Sequence, residues 1–210
     1  MITFPKSTEF NKRIPKETFY TNLSMNTSLK RVFIDEVKNI YWKNKIAPST
    51  VSISQGTDVL EIEIFVIELK EKNYSAEILK QIDKAIPYHI IYALKFEDKI
   101  QYAAGYKEVT SNGSSKVVKY YSTQWMNDSD ISINLIGLNT DRTYENIIRL
   151  IAGDSIEFKS ESLSEDILKS NERQKLQKEI DKLTRQAKNE KQPNKKFELM
   201  QRINKLKGEL

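Results

Sequence analysis

Cysteine is absent from the 210 residues, which excludes disulfides, thiolate zinc sites, iron–sulfur clusters and cysteine nucleophiles. Histidine occurs once, at His89, so no two-histidine metal site can be built. A serine triad would need that same residue, and no G-x-S-x-G elbow is present. The six glycines never fall in the spacing of a phosphate-cradling loop, which leaves ATP and dinucleotide binding by such devices unsupported. Long apolar runs are missing too: the stretch 62–69 is interrupted by Glu63 and Glu68, so no segment can span a bilayer. The opening MITFPKSTEFNKRIPK has no apolar core of signal-peptide length. A cytoplasmic protein without membrane attachment is expected.

What is present suits a packed core. Hydrophobic residues make up 39% of the chain, with ten Tyr and eight Phe, so disorder is not the expectation. The charge is unevenly placed. Residues 171–210 hold 12 Lys and Arg against 6 Asp and Glu, a net +6, which leaves the preceding 170 residues at −1. The basic character therefore belongs to the tail.

Hydrophobic spacing predicts an irregular lead-in over 1–23, then a helix over 24–45 carried by Leu29, Val32, Phe33, Val37, Ile40 and Tyr41, with Thr27 or Ser28 as cap. A short strand is expected at 51–53 and a long one over 59–70, where Glu61 and Glu63 alternate with Ile62, Ile64 and Val66. A helix follows over 75–86, stopped by Pro87. Strands at 89–96 and 100–107 read as a hairpin turning at Glu97-Asp98-Lys99. Further strands are expected at 117–125 and 131–138, and a helix at 144–152 ended by Gly153. The expected fold is α+β, a mixed or antiparallel sheet flanked by helices. Its globular domain covers 1–158, and 159–170 serves as linker. The tail 171–210 carries Leu176, Ile180, Leu183 and Ala187, then Leu199, Ile203, Leu206 and Leu210, at spacings of four, three and four. Pro193 separates the stripes, which predicts a helical hairpin, a short antiparallel coiled coil.

Four sets of residues could carry chemistry. His89, on a predicted strand just after Pro87, reads as a buried structural residue; as a general base it lacks an identifiable partner. Asp58, Glu68 and Lys70 resemble the site of PD-(D/E)XK nucleases, in which two carboxylates hold Mg²⁺ and a lysine positions water. A solvated strand end explains the same residues, and no other cofactor is implied. Tyr88, Tyr92, Tyr102, Tyr106, Tyr120, Tyr121 and Trp125 could stack bases on a sheet face, or simply fill the core. In the tail, Lys178, Lys182, Arg185, Lys188, Lys191, Lys195 and Lys196 could meet phosphates or a protein partner, or form a solvated face.

The segments PKSTEFNKRIPKETFYTNL (5–23), LKRVFIDEVKNIYWKNKIAPST (29–50), QIDKAIPYHIIYALKFEDKIQYAAGYKE (81–108), YYSTQWM (120–126) and AKNEKQPNKKFELMQRINKLK (187–207) resemble domain-of-unknown-function family 4391. The resemblance covers nearly the whole chain and implies a bacterial protein encoded near helicases and DNA methyltransferases of restriction-like systems. It assigns no functional residue. The expectation is a non-catalytic adaptor of a DNA-processing or phage-defence complex, with a helicase or methyltransferase as partner. The alternatives are a diverged metal-dependent nuclease and a protein that binds nucleic acid through its tail.

Overall fold

The computed structural model describes residues 4–22, 25–109, 115–127, 137–157, 160 and 162–210. Contacts divide the chain into two compact units, 1–153 and 154–210.

The first unit is built on one mixed sheet. β1 (Glu9–Ile14), β2 (Val37–Ile46), β3 (Ile62–Leu69), β4 (His89–Phe96), β5 (Lys99–Val109) and β6 (Ser115–Ser122) lie side by side in chain order, and β7 (Met126–Asn127) pairs with β5. Among these strand pairs β3 and β4 run parallel and the others antiparallel. The parallel pair needs a crossover, which α3 (Glu77–Ala85) supplies. The other α-helices described in this unit are α1 (Lys16–Asn22), α2 (Thr27–Glu36) and α4 (Thr140–Ala152).

Pairing register separates the two faces. One face carries Phe65, Ile67 and Leu69 of β3 with Ile90, Tyr92 and Leu94 of β4, packed with Phe33 of α2 and Ile78, Leu79 and Ile82 of α3. The other carries Ile62, Ile64 and Val66 with Ile91 and Ala93. There α4, which buries Tyr144, Ile147, Ile148 and Ile151, contacts β5 and β6. The α+β expectation holds.

Several local expectations change. The helix expected over 24–45 stops at Glu36, and Val37 begins a ten-residue strand. Register shifts at Val37/Asn39 and Trp42/Asn44 break the period of two, so Val37, Ile40 and Tyr41 fall at spacings that mimic a helix. Asn26, rather than Thr27 or Ser28, caps α2 by accepting from Leu29 N–H at 2.9 Å. The lead-in is not irregular. It holds β1, an edge strand with almost no burial and hence no hydrophobic alternation to read. Residues 51–53 form no strand; Ser54 makes one isolated bridge with Asn139. Of the strand expected at 131–138, positions 131–136 lie outside the described residues.

The second unit contains α5 (Leu163–Asn189) and α6 (Pro193–Gly208), with Pro193 in the first turn of α6, where its missing N–H costs nothing. Ile180, Leu183, Ala187 and Ile203 are buried together, with Leu199 and Leu206 packed against them. Residues 163–170, expected as linker, are the first two turns of α5.

Candidate functional site

The structure does not bring the nuclease-like residues together. Asp58 lies exposed in the turn before β3, and Glu68 sits at the far end of that strand. Ile62 to Glu68 alone spans about 20 Å at strand rise. Glu68 and Lys70 also have other tasks, and the Asp58 backbone is held by α4. Asp58 N–H points to Asp141 Oδ1 at 3.1 Å. Glu68 Oε2 accepts from Asn39 Nδ2 at 2.6 Å, and Asn39 Oδ1 accepts from Arg13 at 3.0 Å. Lys70 Nζ donates to Ile34 O at 2.7 Å and Lys16 Nζ to Val37 O at 2.8 Å, so both lysines satisfy carbonyls near the C-terminal end of α2. Among the described residues, no group of three or more His, Asp or Glu gathers closely enough to hold a metal ion.

His89 is 5% exposed and packs edge-on against the Tyr144 ring at 4.6 Å. Burial, with Lys107 adding to it, pushes the imidazole down to about 4. A neutral, ring-packed imidazole is a core residue. The aromatics do not share an exposed face: Tyr92, Tyr102 and Tyr121 are buried, while Tyr88 is exposed. Tyr92 OH donates to Leu79 O on the α3 side, whereas Tyr102 pairs with Ala93, on the opposite face of the sheet.

Two buried charged constellations escaped sequence reading. Lys107 Nζ lies 2.9 Å from Asp83 Oδ1, and both side chains are under 5% exposed. Tyr120 OH donates to Asp83 Oδ2 at 2.6 Å, and Lys107 Nζ also donates to Tyr88 O. The pair belongs to the lining of a cavity that also carries Lys80, Lys84 and Lys116. Separately, Glu63 is 1% exposed; its Oε2 accepts from Trp42 Nε1–H at 2.5 Å, while Oε1 has no partner. Burial first, then the neighbouring Glu61, pushes the Glu63 carboxyl up to about 7. Strand alternation alone does not reveal this burial, because it depends on the helices packed on that face of the sheet.

In the tail, Lys178, Lys182, Arg185, Lys188, Lys191, Lys195 and Lys196 are all exposed. Lys175, Lys178, Lys182 and Arg185 recur every three or four residues along α5, so they align as one stripe about 15 Å long. At 100° per residue this stripe lies about 150° around the helix from Leu176, Ile180, Leu183 and Ala187. Arg202 is engaged differently, donating to Glu179 Oε1 at 2.7 Å. On α6, Phe197 and Met200 remain 65% and 47% exposed.

Fold and surface together describe an α+β protein with an appended basic helix pair. The family model described as domain of unknown function (DUF4391) matches residues 2–210, and the chain belongs to that family. No curated protein and no solved structure matches it. Among the described residues, no helix is long and apolar enough to cross a membrane.

Proposed function

We propose that this chain is a non-catalytic accessory protein of a bacterial DNA-processing or phage-defence system, docking through its C-terminal helix pair onto an acidic surface of a helicase or methyltransferase. The observation that carries the reading is the outward stripe Lys175, Lys178, Lys182 and Arg185 on α5, set away from the apolar seam that the helix pair uses for itself. A stripe of one sign with no packing duty favours an anionic partner and steers its approach. The choice of a helicase or methyltransferase rests on the family resemblance.

Affinity purification from a native bacterial host, with nuclease-treated lysate, tests this. The full chain is compared with a full-length variant carrying Lys178→Gln, Lys182→Gln and Arg185→Gln. Recovery of a helicase or methyltransferase by the unaltered chain, lost in the variant, is the expected result. A chain that stays alone at micromolar concentration beside its neighbours' products ends the adaptor reading.

The same stripe supports a second reading, direct contact with nucleic-acid phosphates. If so, recovery depends on DNA surviving in the lysate, and duplex binding weakens steeply with salt. The triple variant then lowers the log–log salt slope by about 3.

A further inference from the structure

Beside Trp42 and Glu63, between the N-terminal end of β3 and the C-terminal end of α3, lies a cavity of about 280 Å³. Phe19, Phe65, Ile86 and Tyr88 are among the other residues that line it. Apart from Glu63 the lining carries no charged residue, and Tyr88 stands 38% exposed.

The electrostatics of this place are unbalanced. Glu63 has one oxygen satisfied by the Trp42 indole and one, Oε1, buried without a donor. A buried carboxylate oxygen that lacks a donor is costly, and native structures rarely leave one so. The nearby cation does not serve it: Lys45 Nζ is committed to the Glu61 carboxylate and stands 6.0 Å from the Tyr88 ring. With Glu63 ionised, Glu61, Glu63 and Lys45 sum to one negative charge. The α1 residues at the cavity, Thr18 and Phe19, and the α3-end residues Ala85, Ile86 and Pro87 bring no charge of their own. Aromatic and aliphatic walls beside such a carboxylate exclude water, which strengthens its attraction for a cation.

We propose that the Glu63 cavity binds a small organic cation, an alkylammonium or alkylguanidinium group, whose charge is balanced by the Glu63 carboxylate while its apolar stem lies against Trp42 and Phe65. An anionic ligand would meet the buried carboxylate and is disfavoured. Binding of the cation requires the ionised carboxyl, so below neutral pH it displaces the proton that burial holds on Glu63.

The probe is n-butylammonium, with n-butanol as a neutral control of similar shape. The readout is the Trp42 indole N–H resonance, identified against Trp125 with a Trp125→Phe variant. A saturable shift is expected at about pH 8, with n-butanol at least about tenfold weaker. Calorimetry in two buffers of different ionisation enthalpy at about pH 6 is expected to show proton release on amine binding. Glu63→Gln is expected to abolish the preference for amine over alcohol. Because that variant changes a core position, the alcohol control and proton release in the unaltered chain test the same claim independently. Nα-acetyl-lysine amide separates two sources of the cation: binding like n-butylammonium points to a polypeptide side chain, and weaker binding to a free amine. Equal binding of amine and alcohol, no proton release, or no saturable binding of either amine overturns the proposal.

Discussion

Glu63 and His89 show how burial sets the behaviour of single groups in opposite directions. The Glu63 carboxyl holds its proton up to about 7 in the fold against 4.5 when exposed, so the folded state binds the extra proton between those values and stability falls as pH rises through them. His89 stays neutral down to about 4 against 6.5 when exposed, so stability is present above 6.5 and lost as pH falls toward 4. The two slopes oppose each other over the shared window. Urea denaturation of Glu63→Gln is expected to show stability rising with pH from about 4 to about 6.5, steeper than in the unaltered chain; an unchanged slope would show that Glu63 is not the proton-binding group. Asp83 and Lys107 make a different case. Asp83→Ala strands a buried ammonium and is expected to cost about 3–5 kcal/mol by urea denaturation, and adding Lys107→Met is expected to restore part of it.

Among the elements, α4 has a duty that its spacing does not reveal. Asp141 in its first turn accepts from Thr57 N–H at 2.7 Å, Asp58 N–H at 3.1 Å and Val59 N–H at 2.7 Å. Thr140 Oγ1 accepts from Gly56 N–H at 2.7 Å and donates to Val59 O. The N-terminus of α4 thereby pins the turn that leads into β3. Gly56 belongs to the clamp, because a Cβ there would collide with the Asp141 carboxylate. Asp141→Ala is expected to cost about 1–3 kcal/mol in chemical denaturation. Gly56→Ala should also destabilise, and by less when Asp141 is already Ala, since the colliding group is then gone. Additive costs would mean that the clamp is not shared. At this scale the hairpin of β4 and β5 was legible, because two β-rich runs flank a short polar turn. The strand β2 was not, because its bulges erase the alternation by which a half-buried strand is recognised.

For the molecule as a whole, the two compact units imply separable stability. Ile203→Ala should loosen the helix pair by about 2–5 kcal/mol. Amide exchange is expected to rise across 176–206 and stay unchanged in β3 and β4; parallel loss of protection in the sheet would make the chain one cooperative unit. The sequence by itself determined the α+β class, the hairpin, the helix that becomes α3 and most of the apolar seam of the tail, because each rests on local periodicity and turn chemistry. It also placed the basic charge in the tail, where the stripe on α5 follows from helical spacing alone. Only the tertiary structure decided the rest. It separated Asp58 from Glu68, turned Lys70 toward the end of α2, and paired Asp83 with Lys107 across 24 positions of chain. It also enclosed Glu63, because burial depends on which faces of a strand are covered, and residues far away in sequence do the covering.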